Sequence, residues 1–433
     1  MTNIASAIRN STFLKHNAIF FFGALAAGAL NYIFYPIMAR LLSTNSFGEI
    51  QALFSLFAQV NIFLSVLGLI TVNIVVNNEW SQKRDQLILE LEKLALLTGL
   101  VVLFASFLAG PMLERFFHFN TIWPFVVLGA AVFVTIPLTF RSAYLRGKRS
   151  FGLVAILNIM AAAADLVLSV LFVVLHGKTT GVLIGLVLAQ FLTFMCAAWL
   201  ARRHGFSVAR AKALFTLPDM RMIAPELRYA LLVLVSSLII TGMYSVDTIV
   251  VKHWFDARTA GLYAGIATIA RIIFFVTASI AQVLLPSVRM SRSAQHNRQV
   301  LVKSFILLTG IGGSVLLVFC LMSRRVVEIL MGQRFLPYAN LLPRLSLVIF
   351  FISVVNLFVL YHLALRRYAI AVIAVVGALL TTGLMLVNHQ TPQAVVNDLL
   401  YGSVSVGVML GVWSMSIKAS EVVLVPEQSE TQS

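Results

Sequence analysis

Two charged residues stand inside apolar runs long enough to cross a bilayer, both within YSVDTIVVKHWFDARTAGLYAGIATIARIIFF (244–275). Asp247 comes before the end of one run and Arg271 ten residues into the next. An unpaired charge at mid-bilayer costs on the order of 2.5–3.5 kcal/mol on insertion scales, so such residues persist where they pair or act. Arginine keeps its proton and offers a planar fork of donors, which fits phosphate or carboxylate. The other employment for Arg271 is an ion pair with Asp247 that holds two helices together. Both can hold if the pair opens when a substrate arrives.

Other polar side chains are spaced to face one way. The helix bearing Asp247 also carries Ser237, Thr241, Tyr244 and Thr248 on one face. An earlier helix carries Gln51, Ser55 and Gln59, and the first carries Asn31 and Tyr35. Amides facing lipid are costly, so these should look inward, toward neighbouring helices or a sugar. Asp165 is the acid deep in the fifth apolar run, with Asn158 two turns earlier. A carboxylate there suits coupling to H+ or Na+, as does Asp247, and its bland employment is a hydrogen bond to the next helix. Arg40 and Lys252 fall at matching helix ends, either as snorkelling anchors or lining the mouth of a cavity. Arg146, Lys148 and Arg366 would stand at the opposite, cytoplasmic mouth. No Walker A, HExxH or paired CxxC occurs, and the eight His are scattered. These patterns point to neither a metal, a cofactor nor catalysis.

The elements that position these residues follow from composition. Of 433 residues 60% are hydrophobic and 11% charged, with a mean hydropathy of +0.95. Soluble domains have about 25% charged residues, so a soluble protein is excluded. Apolar blocks of about 20 residues match the length of a membrane-spanning helix, and no segment sustains the alternation of a transmembrane barrel. Twelve helices are expected, at 17–39, 50–76, 94–111, 121–140, 151–175, 179–201, 229–252, 261–285, 304–322, 343–365, 367–387 and 395–417. Pro36, Pro124 and Pro137 permit kinks. Ala27-Gly28-Ala29 resembles a signal-peptidase site, but the apolar run continues through Met38, so cleavage is not expected. Cys196 and Cys320 should be free thiols.

The net charge of +16 would suggest nucleic acid in a soluble chain; here its distribution decides its meaning. With the N-terminus inside, 22 of the 32 Lys and Arg fall on inner segments and eight on outer ones. That asymmetry puts both termini in the cytoplasm and removes any need for a nucleic-acid partner. The cation-rich inner segments also suit anionic lipid headgroups.

An internal repeat divides the chain. MARLLSTNSFGEIQALFSL (38–56) has Arg40, two apolar residues, Ser43 and then Gly48; HWFDARTAGLYAGIATIA (253–270) has His253, two apolar residues, Asp256 and then Gly261. LRGKRSFGLVAILNI (145–159) is echoed by LRRYAIAVIAVVG (365–377). The expected organisation is an N-terminal six-helix lobe (1–206), a cytoplasmic linker (207–228), a C-terminal six-helix lobe (229–418) and a disordered tail (419–433). An even number of crossings relates the lobes by a pseudo-twofold along the membrane normal, in an all-α polytopic membrane protein.

These segments, together with MGQRFLPYANLLPRLSL (331–347), resemble the polysaccharide (O-antigen) flippases of the multidrug/oligosaccharidyl-lipid/polysaccharide exporter superfamily. The resemblance runs from about residue 15 to 415. It implies a bacterial inner-membrane transporter that turns an undecaprenyl-diphosphate-linked oligosaccharide across the bilayer, around a cationic cavity, with glycosyltransferases and a polysaccharide polymerase as partners. Two other readings stand beside it. One is a cation-coupled multidrug exporter of the same superfamily, whose cavity would favour acids. The other is a membrane-embedded glycan polymerase or ligase, which would need a large outer loop.

Overall fold

The computed structural model describes residues 12–77, 82–176, 178–206, 216–288, 293–365, 367 and 369–416. Hydrocarbon offers no hydrogen-bond partners, so the backbone must satisfy itself, and among the described residues it does so as helices without strands. The first half holds α1 (Thr12–Leu41), α2 (Thr44–Asn77), α3 (Gln82–Leu108), the short α4 (Gly110–Phe117), α5 (Trp123–Gly147), α6 (Phe151–His176) and α7 (Thr179–Arg203). The second holds α8 (Met220–Trp254), α9 (Ala257–Ala270), α10 (Ile272–Ser287), α11 (Ala294–Leu321), the short α12 (Ser323–Leu330), a 3-10 turn (Gln333–Leu341), α13 (Leu342–Ala364), α14 (Ala369–Val387) and α15 (Pro392–Ser416).

Each of the twelve expected segments falls on helix. By length and apolarity, however, eight helices among the described residues can cross a membrane, or nine if the pair α3 and α4, bent by 65°, counts as one span. The count of twelve crossings remains an expectation. Large apolar side chains cover the outside, as a lipid-facing surface requires: Phe104, Leu108, Val174, Leu379 and Leu380 are all exposed.

Several helix ends lie beyond their apolar blocks. Hydropathy places the third helix at 94–111, yet α3 begins at Gln82, so Arg84 and Lys93 lie on helix rather than in a loop. α8 begins at Met220, with the Asp219 side chain accepting from the Arg221 N–H at 3.0 Å. The linker is therefore shorter than 207–228, and a capped polar helix end takes up its last part. Pro124 does not kink α5 but starts it, in the first turn where a missing N–H costs nothing. Pro36 and Pro137 lie inside α1 and α5.

The two halves pack by the same scheme. In the first, α1 packs on α6, α6 on α7, and α5 on α7, α2 and α3. In the second, α8 packs on α14, α14 on α15, and α13 on α15, α10 and α11. Between halves, α2 packs on α8 and α9. That contact is close because Gly48 and Gly261 face each other. A Cβ on Gly48 would lie 2.7 Å from the Gly261 Cα, and one on Gly261 would lie 1.8 Å from the Thr44 carbonyl oxygen.

Candidate functional site

The buried charges of the second half meet where α9 gives way to α10. Arg271 occupies the single residue between them, at φ −62° and ψ −13°. Its Nε donates to the Tyr244 carbonyl at 2.8 Å, and its Nη2 donates to Asp247 Oδ1 at 2.9 Å and to Thr248 Oγ1 at 2.5 Å. The Tyr263 hydroxyl donates to the other carboxylate oxygen of Asp247 at 2.9 Å. Asp247 is 3% exposed and Arg271 8%. The helical spacing of Tyr244, Asp247 and Thr248 brings all three acceptors to one face of α8. The ion pair expected from the sequence is therefore formed. The Arg271 Nη1 has no hydrogen bond to any described residue, so this edge of the fork keeps unused donors.

The surroundings are aromatic. The Tyr244 ring packs on Phe274 with centroids 4.7 Å apart. Tyr35 of α1 lies close enough to Arg271, Asp165 and Tyr244 to interact electrostatically with all three. Asp165 accepts from Ser169 Oγ at 3.1 Å, and the same hydroxyl reaches the Val182 carbonyl of α7 at 3.2 Å.

Other expected residues sit elsewhere. Gln59 donates Nε2 to Ser245 Oγ at 2.9 Å, so its amide is spent on the contact of α2 with α8 rather than left open for a sugar. Asn31 is exposed on α1 and joins none of these bonds. Gln51 is buried, and Ser55 donates to its carbonyl. Arg40 is no free anchor: it donates to Pro36, Ile329 and Leu330 carbonyls. Lys252 does not snorkel either. It is 1% exposed, with Nζ 5.1 Å from the Phe119 ring centroid and Glu49, held by Thr179, as its nearby counter-charge. Arg40 stays exposed while bonded across the halves, whereas Lys252 is covered by them.

At the other end Arg146 is exposed and Lys148 lies 5.9 Å from the Tyr144 ring centroid. Arg366 lies outside the described residues. Sequence reasoning counted Arg141 among loop cations, but it is buried and ion-paired with Glu92 of α3, beside the Phe206 ring at 5.0 Å. Glu90 holds Lys93 at 2.7 Å and accepts from the Asp219 N–H at 2.8 Å, fastening the start of α8 to α3. Glu90 and Glu92 fell in a polar stretch read as loop, so their signal was present but assigned to the wrong element. Cys196 and Cys320 are free. No group of three or more metal-binding side chains occurs among the described residues.

Known structures share this architecture. An inward-facing multidrug resistance MATE family transporter of the MOP superfamily is 14% identical, with a TM-score of 0.74 over 90% of this chain and 93% of that one. The lipid II flippase MurJ, in an inward closed conformation, is 13% identical, with a TM-score of 0.72 over 92% and 88%. A eukaryotic MATE transporter is 15% identical, with a TM-score of 0.61 over 94% and 97%. No curated protein sequence matches. The fold is therefore that of MOP-superfamily transporters, in a multi-pass membrane protein. The family model for polysaccharide biosynthesis proteins matches residues 13–292, well over half of the sequence, and the chain belongs to that family.

Proposed function

We propose that the protein moves an undecaprenyl-diphosphate-linked oligosaccharide across the bacterial cytoplasmic membrane, supplying surface polysaccharide such as O-antigen, capsule or exopolysaccharide. One observation carries this reading: a permanently charged guanidinium, buried and aimed by three acceptors, keeps one donor edge uncommitted. A diphosphate needs such an edge, and its lipid anchor need never leave the bilayer. The family supports a polysaccharide role, and the fold supports transport.

The cycle is alternating access by rocking of two lobes (1–206 and 229–418) about the site, with both termini in the cytoplasm. Cations at the cytoplasmic mouth, Arg146, Lys148 and Arg366, attract the diphosphate, and Arg271 then holds it while Tyr244 and Tyr35 contact the first sugars. Binding of H+ or Na+ at Asp165 or Asp247 biases the return. Glycosyltransferases make the substrate and a polysaccharide polymerase consumes the product. An exporter of cationic drugs fits less well, because both central carboxylates already have donors, Asp247 from Arg271 and Tyr263 and Asp165 from Ser169.

The test is flipping in proteoliposomes with lipid-linked glycans of defined headgroup. Diphosphate-linked glycan should cross faster than the same glycan on a neutral linkage, and Arg271→Gln should erase the difference. Equal rates for both linkages in the unaltered protein would refute the assignment.

A further inference from the structure

The helix ends around Arg40 are tied across the halves by contacts that follow one numerical rule. Arg40, at the end of α1, donates Nη2 to the Ile329 carbonyl at 2.5 Å and Nη1 to the Leu330 carbonyl at 3.2 Å, the last two carbonyls of α12. His253, at the end of α8, approaches the Phe116 carbonyl near the end of α4 through Nδ1 at 2.6 Å, its ring stacked on Phe116 at 3.8 Å. Residue numbers 40 and 253 differ by 213, as do 116 and 329. The first long helix of each half thus grips the short helix of the other.

The same offset relates two further features. Ser43 Oγ caps the next helix through the Ser46 N–H at 3.2 Å, and Asp256 does so through the Thr259 N–H at 3.0 Å. Gly48 and Gly261, also 213 apart, touch each other, as equivalent points do beside a twofold axis. The axis of the repeat therefore runs through this crossing. Arg334 strengthens one side. It donates to the Ala39 carbonyl at 3.2 Å, the Arg40 carbonyl at 2.9 Å and the Leu42 carbonyl at 3.2 Å. Carbonyls at a helix C-terminus lack intrahelical donors and favour a cation, so two guanidiniums exchanged between two helix ends form a stable clasp.

We infer that this clasp is the gate closing this end of the central space, and that Arg40, Arg334 and His253 are the positioning residues that set how readily it opens. The inference rests on the alternating-access reading above, but its readout is access to the interior rather than glycan transport. Parting the lobes here must break five guanidinium hydrogen bonds on one side, against the single His253 hydrogen bond and the packing of His253 and Lys252 on Phe116 and Phe119 on the other. Opening is therefore limited at the Arg40–Arg334 side.

The experiment places a reporter behind the gate, Ser245→Cys, in a Cys196→Ser, Cys320→Ser background. Ser245 is 2% exposed and bonded to Gln59, which lies eleven residues or about 16 Å along α2 from Gly48. Labelling by a membrane-impermeant maleimide is timed from each side, in spheroplasts and in inverted vesicles. Arg40→Gln and Arg334→Gln, measured separately so that either alone can decide, should each speed labelling about tenfold from the Arg40 side only. His253→Gln should speed it less. Unchanged rates in both arginine variants, or equal acceleration from both sides, would overturn the gate. Retained flipping with an altered labelling rate would leave the gate standing, and lost flipping with an unaltered rate would not support it.

Discussion

The proposed mechanism gives Arg271 two duties that a single substitution confounds and a pair separates. Arg271→Ala removes three hydrogen bonds and leaves Asp247, 3% exposed, with the Tyr263 hydroxyl as its main donor. Breaking a buried ion pair from one side costs about 3–5 kcal/mol, because the remaining charge is stranded. Asp247→Asn strands the guanidinium instead and should cost a similar amount. The double variant leaves no charge, so it should be less destabilised than the two singles added together, by about 1–3 kcal/mol of coupling. Denaturation of purified protein in mild detergent measures this, and flipping of a diphosphate-linked glycan is followed on the same samples. If Arg271 holds substrate, the double variant is folded and inactive. A double variant that flips at the native rate would show that the pair only fastens helices, and the mechanism proposed here would fail. Additive destabilisation would contradict the coupled geometry itself.

Gly261→Ala should destabilise the protein by more than the 1–3 kcal/mol usual for overpacking, since its Cβ would collide with backbone at Thr44, and should slow closing of the lobes. Gly28→Ala, with nothing within 4 Å of its Cβ, should leave stability unchanged or raise it by up to about 1 kcal/mol, so thermal unfolding of the two variants tests the crossing against a helix-propensity effect. Asp256 is held below the usual carboxylate range by hydrogen bonds from the Thr259 side chain and N–H. A lowered folded-state value means that its contribution is present above the unfolded value near 4 and is lost as pH falls through the folded one. Asp256→Ala should therefore cost about 1 kcal/mol at pH 7 and less at pH 3, whereas Asp256→Asn, which still caps, should be nearly neutral at both.

Much of the architecture was written in the residue pattern because lipid leaves few options: an apolar block of the right length becomes helix. The hinge correspondence of Arg40, Ser43 and Gly48 with His253, Asp256 and Gly261 was also visible, since the same local tasks of capping a helix and admitting a neighbour recur in both halves. The Asp247–Arg271 pair was legible because charge in hydrocarbon demands a partner, and these were adjacent candidates. What could not be read was which distant element meets which side chain. Lys252 resembles a snorkelling anchor until Phe119 and Glu49, from other elements, close over it. Glu92 and Arg141 lie 49 positions apart on different helices. Polar helix extensions such as the start of α3 escape hydropathy, which detects where lipid begins rather than where helix does.

The repeat duplicates its cap and glycine crossing but not its buried charge. Under the offset that pairs the gate residues, Asp247 corresponds to Phe34 and Arg271 to Ala58, so the first half has packing where the second has charge. Rocking needs matched hinges, because equivalent contacts must part together about the axis at Gly48 and Gly261. A second guanidinium at the symmetric position would repel the first unless an anion lay between them. Phe34 instead packs on Tyr35 and Phe54 at 5.5 and 5.7 Å. In the proposed cycle, duplicated scaffold and unduplicated charge answer to two tasks, moving two lobes about one crossing and holding a headgroup from one of them.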